Sequence, residues 1–260
     1  MELPLYQVDA FTDRPFGGNP AAVMPLDSWL PDEILAAIAR ENNLSETAYF
    51  VREGEDLRIR WFTPGGEVDL CGHATLASAF VLFTELEPAR KAVRFDSQSG
   101  PLSVGRDGHW LVLDFPSRPP VPVPVPEGLE AALGAPVVSC WQARDLVALM
   151  EDEATVRGLR PDLEAIARMD AFAVAPTAPG DEADFVSRFF IPRMGIPEDP
   201  VTGSLHCSLV PFWAERLGRT RLRALQVSAR GGELRCELRG DRVAMGGRCV
   251  KVLEGRFLLP

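Results

Sequence analysis

Several features that mark common classes of protein are missing from this sequence of 260 residues. Positive charge is in deficit, because 27 Lys and Arg face 37 Asp and Glu and give a formal net charge of -10. Binding to phosphate backbones or to anionic lipid needs a local excess of Lys and Arg, so we expect neither a nucleic-acid nor a membrane partner. The average field also disfavours an anionic substrate, so a substrate carboxylate must be held by a local set of donors.

Long hydrophobic runs and paired cysteines are missing as well. No segment reaches ~18 uninterrupted apolar residues, and the amino terminus has no basic stretch followed by an apolar run, so we predict a cytoplasmic, unanchored protein. The five cysteines form no CxxC pair, and an odd number suits a reducing compartment. Neither a GxGxxG after a strand nor a GxxxxGK(S/T) loop occurs, and we therefore predict no nucleotide cofactor.

The histidines and cysteines do not have the spacing of a metal site. His206 and Cys207 are adjacent, so on a helix their side chains point about 100° apart. Cys71 and His73 also lack a known zinc-ligand spacing. We therefore predict that the chain holds no metal.

An internal repeat runs through the chain. Arg60-Trp61-Phe62-Thr63-Pro64 recurs as Arg188-Phe189-Phe190-Ile191-Pro192, and Ile38-Ala39-Arg40 recurs at the same offset as Ile166-Ala167-Arg168. After one short insertion in the second copy, four further residues find their counterparts: Glu67, Gly72, Ser97 and Gly100 align with Glu198, Gly203, Ser228 and Gly231. Matches in the same order with a single insertion predict two related halves.

A proline-rich segment, RPPVPVPVP at residues 118–126, lies between the two copies. Alternating proline favours extended polyproline and stops a sheet from continuing, which is typical of a linker. The alternative is an edge strand guarded by proline, which would also end the first half. We predict α+β halves at residues 1–117 and 127–248, followed by a tail at 249–260 for which a return to the first half stays open.

Each copy shows the same order of elements. LRIRWF (57–62) and ADFVSRFF (183–190) are rich in β-branched and aromatic residues and predict strands. Residues 74–83 and 205–217 are apolar around the whole circumference and predict buried helices, with a kink at Pro211 and a carboxyl-terminal cap at Gly218. A period of two follows each helix, so the pattern predicts an α+β fold in which each strand-rich sheet wraps a buried helix.

The start of each predicted helix is a candidate anion site. The first turn has amide N–H groups without partners and carries the positive end of the helix dipole, and the aligned Gly72 and Gly203 allow close approach of a ligand. If the halves face each other, the two helix starts converge on one cleft. The alternative is that both glycines are turn residues and that Asp69, Asp199 and Ser204 are ordinary caps.

Four segments of the chain closely resemble the PhzF family, which is named for an isomerase of phenazine biosynthesis. They are QVDAFTDRPFGGNPAAV, ENNLSETAYFV, FTPGGEVDLCGHATLASA and RMGIPEDPVTGSLHCSLVPFWAERLG, and the resemblance runs from about Tyr6 to Phe257. It implies two pseudo-symmetric diaminopimelate epimerase-like domains, each a curled β-sheet around a central buried helix, with the active site between them. A homodimer that acts on a small-molecule substrate in a biosynthetic process, without a cofactor, is also implied.

The resemblance further implies roles for individual residues. Glu46 of NLSET resembles the family's acid/base, while His73 of CGHAT and Asp199 and Ser204 of EDPVTGS resemble its supporting catalytic residues. Five further residues are expected to bind or border the substrate: Asn19, Cys71, Gly72, Thr202 and Gly203.

Cys71 bears on the choice between two chemistries. Two-base racemases of this fold use a thiol at each helix start, but the residue aligned with Cys71 is Thr202, whose hydroxyl is a far weaker acid than a thiol of pKa about 8.5. We therefore predict a one-face proton shift, such as double-bond migration, in a small, cyclic carboxylate with Glu46 as acid/base. Two alternatives stay open: an epimerase or racemase using Cys71, and a ligand-binding or regulatory protein without turnover.

Overall fold

A computed structural model describes residues 1–54 and 56–259 and shows a strand-rich α+β fold. The chain divides into two compact units: unit 1 comprises Met1–Asp114 and Gly246–Pro260, and unit 2 comprises Phe115–Met245. Within the described residues no helix is both long and apolar enough to cross a membrane.

The helices and strands are numbered in chain order. The helices are α1 (Asp32–Asn42), α2 (Gly72–Val81), α3 (Leu129–Leu133), α4 (Glu153–Gly158), α5 (Leu163–Arg168) and α6 (Gly203–Leu217). The strands are β1 (Glu2–Ala10), β2 (Asn19–Leu26), β3 (Glu46–Glu53), β4 (Asp56–Thr63), β5 (Gly66–Val68), β6 (Ala92–Ser97), β7 (Gly100–Asp107), β8 (Trp110–Pro116), β9 (Val121–Val123), β10 (Ser139–Gln142), β11 (Leu146–Leu149), β12 (Val174–Pro179), β13 (Phe185–Ser187), β14 (Phe190–Ile191), β15 (Ile196–Glu198), β16 (Arg221–Gln226), β17 (Gly232–Arg239), β18 (Arg242–Gly247) and β19 (Cys249–Leu258).

In unit 1 a sheet curls around the buried helix α2. Strand β1 is antiparallel to both β2 and β19, and β2 runs parallel to β3. Strand β4 then pairs with β3, β5 and β6, and β6, β7 and β8 follow as an antiparallel meander. Helix α2 packs on β1, β2, β3 and β19. The helix predicted over residues 74–83 is thus confirmed; it begins at Gly72, and a π-helical turn, Leu82–Leu86, follows its end.

Small residues allow α2 to lie inside the sheet. Nine of its ten residues are buried, and the polar ones among them have local partners. The hydroxyls of Thr75 and Ser78 donate to the carbonyls of Cys71 and Ala74, one turn earlier. These bonds satisfy hydroxyls that would otherwise be buried without partners, so an all-round buried helix can carry Ser and Thr.

In unit 2 a second sheet surrounds α6. Its order is β9, β10, β11, β12, β13, β16 and β17, with parallel pairing at β11–β12 and β13–β16 and antiparallel pairing elsewhere. Helix α6 continues through Pro211, and Gly218 ends it with positive φ and an N–H that donates to the Ala214 carbonyl, as predicted. Trp213 of α6 stacks on Phe185 of β13 and donates to the Thr177 hydroxyl of β12, which fixes the helix against these strands.

Two segments of unit 2 differ in detail from the sequence expectation. Residues 183–190, expected as one strand, form β13 and β14, because β13 pairs with β12 and β16 whereas β14 pairs with β12 and β15. Residues 121–123, inside the segment expected as a linker, form β9 and pair with β10. The pattern of side chains alone does not show where a strand changes its neighbours.

The sequence repeat has a counterpart in local structure. In unit 1 the Arg60 guanidinium donates two hydrogen bonds of 2.7 Å to the Glu67 carboxylate, and its Cζ lies 5.1 Å from the centre of the Phe62 ring. In unit 2 the Arg188 guanidinium donates hydrogen bonds of 2.7 and 2.8 Å to the Glu198 carboxylate, and its Cζ lies 4.8 Å from the centre of the Phe190 ring. These paired residues are the ones that the repeat aligns, and a bidentate pair of this kind fixes the turn before each buried helix.

Candidate active site

Glu46 is the first residue of β3, and the strand behind it is almost wholly buried. This strand anchors the carboxylate, whose side chain is only 15% exposed. Its Oε2 atom lies 3.0 Å from Nε2 of His73. The two atoms are at ion-pair distance but are not aligned as a hydrogen bond, since neither has a hydrogen-bond partner among the described residues. Glu46 is therefore not a freely solvated glutamate.

His73 is buried in the first turn of α2 with neighbours at both ring nitrogens. The Asn19 amide donates to Nδ1 over 3.2 Å, and the Cys71 sulfur lies 3.5 Å from the same nitrogen. Donation from Asn19 favours the tautomer whose proton is on Nε2, directed at Glu46. In the charged form of His73 both nitrogens donate, so Asn19 must then present its amide oxygen instead.

The charges in this cluster act on one another. Burial, followed by the negative charge of Glu46, raises the pKa of Cys71, which keeps the sulfur a thiol at neutral pH. Burial by itself lowers the pKa of His73, but the charges of Cys71 and Glu46 outweigh it and raise that pKa well above 6.5. The Glu46 carboxylate, 3.0 Å from Nε2, favours the charged imidazole whatever the protonation of Cys71.

Asn19 owes its position to the glycine before it. Gly18 has φ of 61°, and a Cβ on it would overlap the carbonyl oxygen of Ala10. Only glycine fits this turn, which leads directly into β2 and brings the wholly buried Asn19 against His73. Asn19 was expected to hold the substrate; its observed contact is to His73, and the substrate role stays a prediction.

In unit 2 the loop before α6 is held by a residue that sequence reasoning missed. Gln226 of β16 is fully buried; its Oε1 accepts the Thr202 N–H over 2.8 Å, and its Nε2 donates to the Asp199 carbonyl over 2.7 Å. The Thr202 hydroxyl donates to the Asp199 carboxylate. No sequence signal points to Gln226, because the repeat aligns it with an apolar residue, Phe95.

Ser204 lies in the first turn of α6 and meets a second missed residue. The Nη2 of Arg144 donates to the Ser204 hydroxyl over 2.9 Å, and the same guanidinium forms two hydrogen bonds to the buried Asp145. One signal was available: Arg144 and Asp145 are the only charged residues between Glu130 and Glu151.

Within the described residues, neither α2 nor α6 has an N-cap side chain that forms a capping hydrogen bond. The N-cap residues are Cys71 and Thr202, both with extended backbone and without a capping hydrogen bond. Asp199 binds the Thr202 hydroxyl, Ser204 is already inside its helix, and Asp69 contacts the Ser99 hydroxyl. The first-turn amides at Gly72 and Gly203 are therefore free of the capping side chains that the alternative reading required.

His206 and Cys207 are structural. The ring of His206 bonds through Nδ1 to the Thr202 carbonyl over 2.8 Å, and burial lowers its pKa to about 4, so it is neutral. Burial raises the pKa of Cys207 to about 11. Neither residue belongs to a cluster of metal-ligating side chains among the described residues.

One trio of described residues has the donor types of a metal site. Glu46, Cys71 and His73 offer ligand atoms that all lie within 4.8 Å of one another. A carboxylate, a thiolate and an imidazole suit zinc, but binding here would require the thiol to lose a proton that its raised pKa retains. That no metal is needed stays a prediction.

Comparison with known proteins gives consistent similarities over the whole chain. A family profile described as "Phenazine biosynthesis-like protein" matches residues 8–255. Two proteins of Pseudomonas aeruginosa, each described as an uncharacterized isomerase, are 55% and 52% identical to this chain, and in both comparisons all of both chains is covered. A crystal structure of a PhzF-family protein from Enterococcus faecalis superimposes with a TM-score of 0.98 at 48% identity, covering 100% of each chain.

More distant structures share the fold alone. A hydroxyproline epimerase from Agrobacterium vitis aligns over 98% of this chain and 91% of its own with a TM-score of 0.62 at 12% identity. A methylitaconate-delta-isomerase aligns over 99% and 95% with a TM-score of 0.53 at 12% identity. The expected fold, diaminopimelate epimerase-like domains that each curl a sheet around a buried helix, is confirmed.

Proposed function

Because the chain belongs to the PhzC-PhzF family of phenazine biosynthesis-like proteins, we propose that it is a cofactor-independent isomerase that shifts a proton within a small carboxylate-bearing substrate. The isomerase class rests on the relatives that match along their full length. Glu46 is the acid/base of this proposal. The observation that carries the assignment is the partly buried Glu46 carboxylate, held 3.0 Å from His73 at the start of α2.

The proposed reaction uses Glu46 twice. Its carboxylate takes a proton from one carbon of the substrate, and the electron pair of the broken C–H bond moves into the neighbouring double bond and carboxylate. Glu46 then returns the proton to a different carbon on the same face, so the double bond migrates while atoms and charge balance. His73 lies 3.0 Å from Oε2, and Oε1 is the oxygen assigned to the substrate. The raised pKa of His73 keeps its ring charged, and this charge holds the Glu46 carboxylate in place.

The remaining site residues act in binding and support. The first-turn amides near Gly72 in unit 1, and those near Gly203 in unit 2, are each suited to bind a carboxylate, because the backbone can approach closely there and the N-cap side chain makes no capping hydrogen bond. Cys71 and Thr202 border these amides. Asp199 and Ser204 support the substrate. The substrate is expected to be cyclic. Assembly of the protein as a homodimer stays a prediction.

The test of this proposal is proton exchange from deuterated water. A panel of cyclic unsaturated carboxylates is incubated with the enzyme in D2O, and loss of specific C–H signals is followed by NMR. Glu46→Gln is expected to lower the exchange rate of any active substrate by roughly 100- to 10,000-fold, because it removes the acid/base group. Glu41→Gln, an exposed change on α1, is the matched control and should exchange at the wild-type rate. Wild-type exchange by Glu46→Gln refutes the assignment.

One observation favours a second candidate, an epimerase or racemase that uses Cys71. The Cys71 sulfur, the His73 ring and the Glu46 carboxylate form a continuous chain of contacts, as in an activated thiol. Against it, the pKa of Cys71 is raised by burial and by Glu46, so its thiolate is scarce at neutral pH. Cys71→Ser separates the two: loss of exchange supports thiol chemistry, whereas near wild-type exchange supports Glu46.

A binding protein without turnover is the remaining alternative. It predicts saturable capture of a carboxylate together with no incorporation of deuterium into any ligand. The D2O experiment therefore separates this class from both enzyme classes.

A further inference from the structure

Arg144 occupies the turn between β10 and β11 and is held from two sides. Its Nε and Nη2 donate to the two carboxylate oxygens of Asp145 over 3.0 and 3.1 Å, and Nη2 also donates to the Ser204 hydroxyl over 2.9 Å. The Asp145 side chain is 2% exposed, so it anchors the guanidinium from the interior. A planar guanidinium fixed in this way loses little conformational entropy when it binds a ligand.

The Nη1 group of the Arg144 guanidinium is available to donate to a ligand. An arginine has five N–H donors, and the bonds to Asp145 and Ser204 engage Nε and Nη2. Nη1 donates no hydrogen bond within the part of the chain that the structure describes, and the Arg144 side chain is 36% exposed. A ligand can therefore reach both hydrogens of Nη1 without displacing Asp145.

The local charge is positive although the whole chain is acidic. The positive charge of Arg118 acts on the Asp145 carboxyl together with that of Arg144, so two cations face one anion. Burial is the main influence on Asp145 and raises its pKa, whereas the charges of the two arginines lower it. The helix dipole at the start of α6 adds positive potential beside Arg144.

An exposed aromatic ring stands beside the guanidinium. The Cζ atom of Arg144 lies 4.7 Å from the centre of the Phe172 ring, and Phe172 is 41% exposed. The exposed ring offers an apolar surface on which a flat, cyclic group can pack.

From these contacts we propose that Arg144 binds the substrate carboxylate through Nη1, with Phe172 packing against the substrate ring. This inference rests on the proposed function, which makes the substrate a small cyclic carboxylate, and it adds a specificity residue in unit 2. Ser204 accepts a hydrogen bond from Arg144 and so orients the guanidinium. Asp145 is a positioning residue that acts through Arg144.

Isothermal titration with carboxylates that do not react tests the proposal separately from turnover. Benzoate and furan-2-carboxylate, whose rings have no sp3 C–H bond to break, are the charged probes, and benzamide is the uncharged match. Loss of a charge-assisted hydrogen bond predicts that Arg144→Gln weakens carboxylate binding roughly 10- to 100-fold and leaves benzamide binding unchanged. Arg168→Gln removes an exposed arginine that pairs only at the surface with Glu164, and it should bind like the wild type.

Further variants distinguish a loss of carboxylate binding from a loss of folding. Arg144→Gln removes the positive charge that pairs with the buried Asp145 carboxylate, which can destabilise the fold. The double variant Arg144→Gln with Asp145→Asn removes both charges together and should show the same loss of carboxylate binding. Phe172→Ala should weaken both the carboxylates and benzamide, because packing does not depend on charge. Thermal unfolding of each variant confirms that it is folded.

Four results would overturn the proposal: wild-type benzoate affinity in both Arg144 variants, an equal loss for benzamide, inorganic phosphate bound as tightly as benzoate, or no carboxylate bound by the wild type. The same titrations in Glu46→Gln separate this proposal from the proposed function. Binding that depends on Arg144 in an enzyme without proton exchange supports the carboxylate site even if Glu46 is not the acid/base.

Discussion

At the scale of single residues, the candidate site depends on groups whose charge and geometry are set by their neighbours. His73 is the clearest case, since burial disfavours its charged form and Glu46 favours it. The outcome is a histidine whose proton is retained to higher pH than usual. Such a residue stays charged at neutral pH, and its attraction for the carboxylate keeps one oxygen of the acid/base in place.

The raised pKa of His73 predicts how stability changes with pH. A group whose folded pKa lies above its unfolded value stabilises the fold fully below the unfolded pKa, about 6.5, and this contribution is lost as pH rises through the folded pKa. The free energy of unfolding of the wild type should therefore exceed that of His73→Gln by more at pH 6 than at pH 9. Urea unfolding at both pH values measures this, and a difference that grows with pH contradicts the assignment.

Gly18 offers a residue-scale test with an internal control. Gly18→Ala places a Cβ on the Ala10 carbonyl oxygen at positive φ, whereas Gly108→Ala meets the same φ, 60°, with nothing within 4 Å. Gly108→Ala should cost about 1–2 kcal/mol of stability, the penalty of the left-handed conformation alone. Gly18→Ala should cost clearly more and should displace Asn19 from His73. Equal losses in urea unfolding would show that the turn relaxes easily.

At the scale of elements, the two buried helices follow strands and turns that are fixed by repeated ion pairs. Arg60 with Glu67, and Arg188 with Glu198, make the same bidentate contact in each unit. The loops after these turns differ, however. Before α6, Gln226 binds the backbone at both ends of residues 199–202, and the aligned Phe95 cannot make such bonds.

Replacement of Gln226 tests the role of this loop. Gln226→Leu leaves the Thr202 N–H and the Asp199 carbonyl without their buried partner, and each such group costs about 1–3 kcal/mol. We expect lower stability and, because Asp199 moves, slower proton exchange. Gln98→Leu, which removes an exposed hydrogen bond to Glu67, is the matched control and should change neither. A stable Gln226→Leu would mean that water replaces the amide.

At the scale of the whole molecule, the proposed chemistry is complete without a metal. Proton transfer by a carboxylate needs no Lewis acid, and the Cys71 thiol keeps its proton. Overnight dialysis against EDTA should therefore leave the rate of proton exchange unchanged. A loss of exchange that added Zn2+ restores would identify Glu46, Cys71 and His73 as a metal site instead.

The sequence by itself determined the fold class, the two buried helices, the repeat and the family. The fold class and the helices follow from local composition and periodicity, because residues 74–83 and 205–217 are apolar all round and a helix of that kind must be enclosed. The family follows from the resemblance of four segments to known sequences. The sequence repeat aligned Arg60 with Arg188 and Glu67 with Glu198, and the structure then showed that each arginine binds the glutamate of its own copy.

Only the tertiary structure decided which distant side chains meet. Asn19, Glu46 and His73 come together because β2, β3 and α2 pack side by side, and Arg144 reaches Ser204 across 60 residues of chain. Strand register and side-chain direction set these contacts, and neither is encoded in the composition of one segment. Short-range patterns reveal what each segment forms; the energies of packing between segments decide what the site contains.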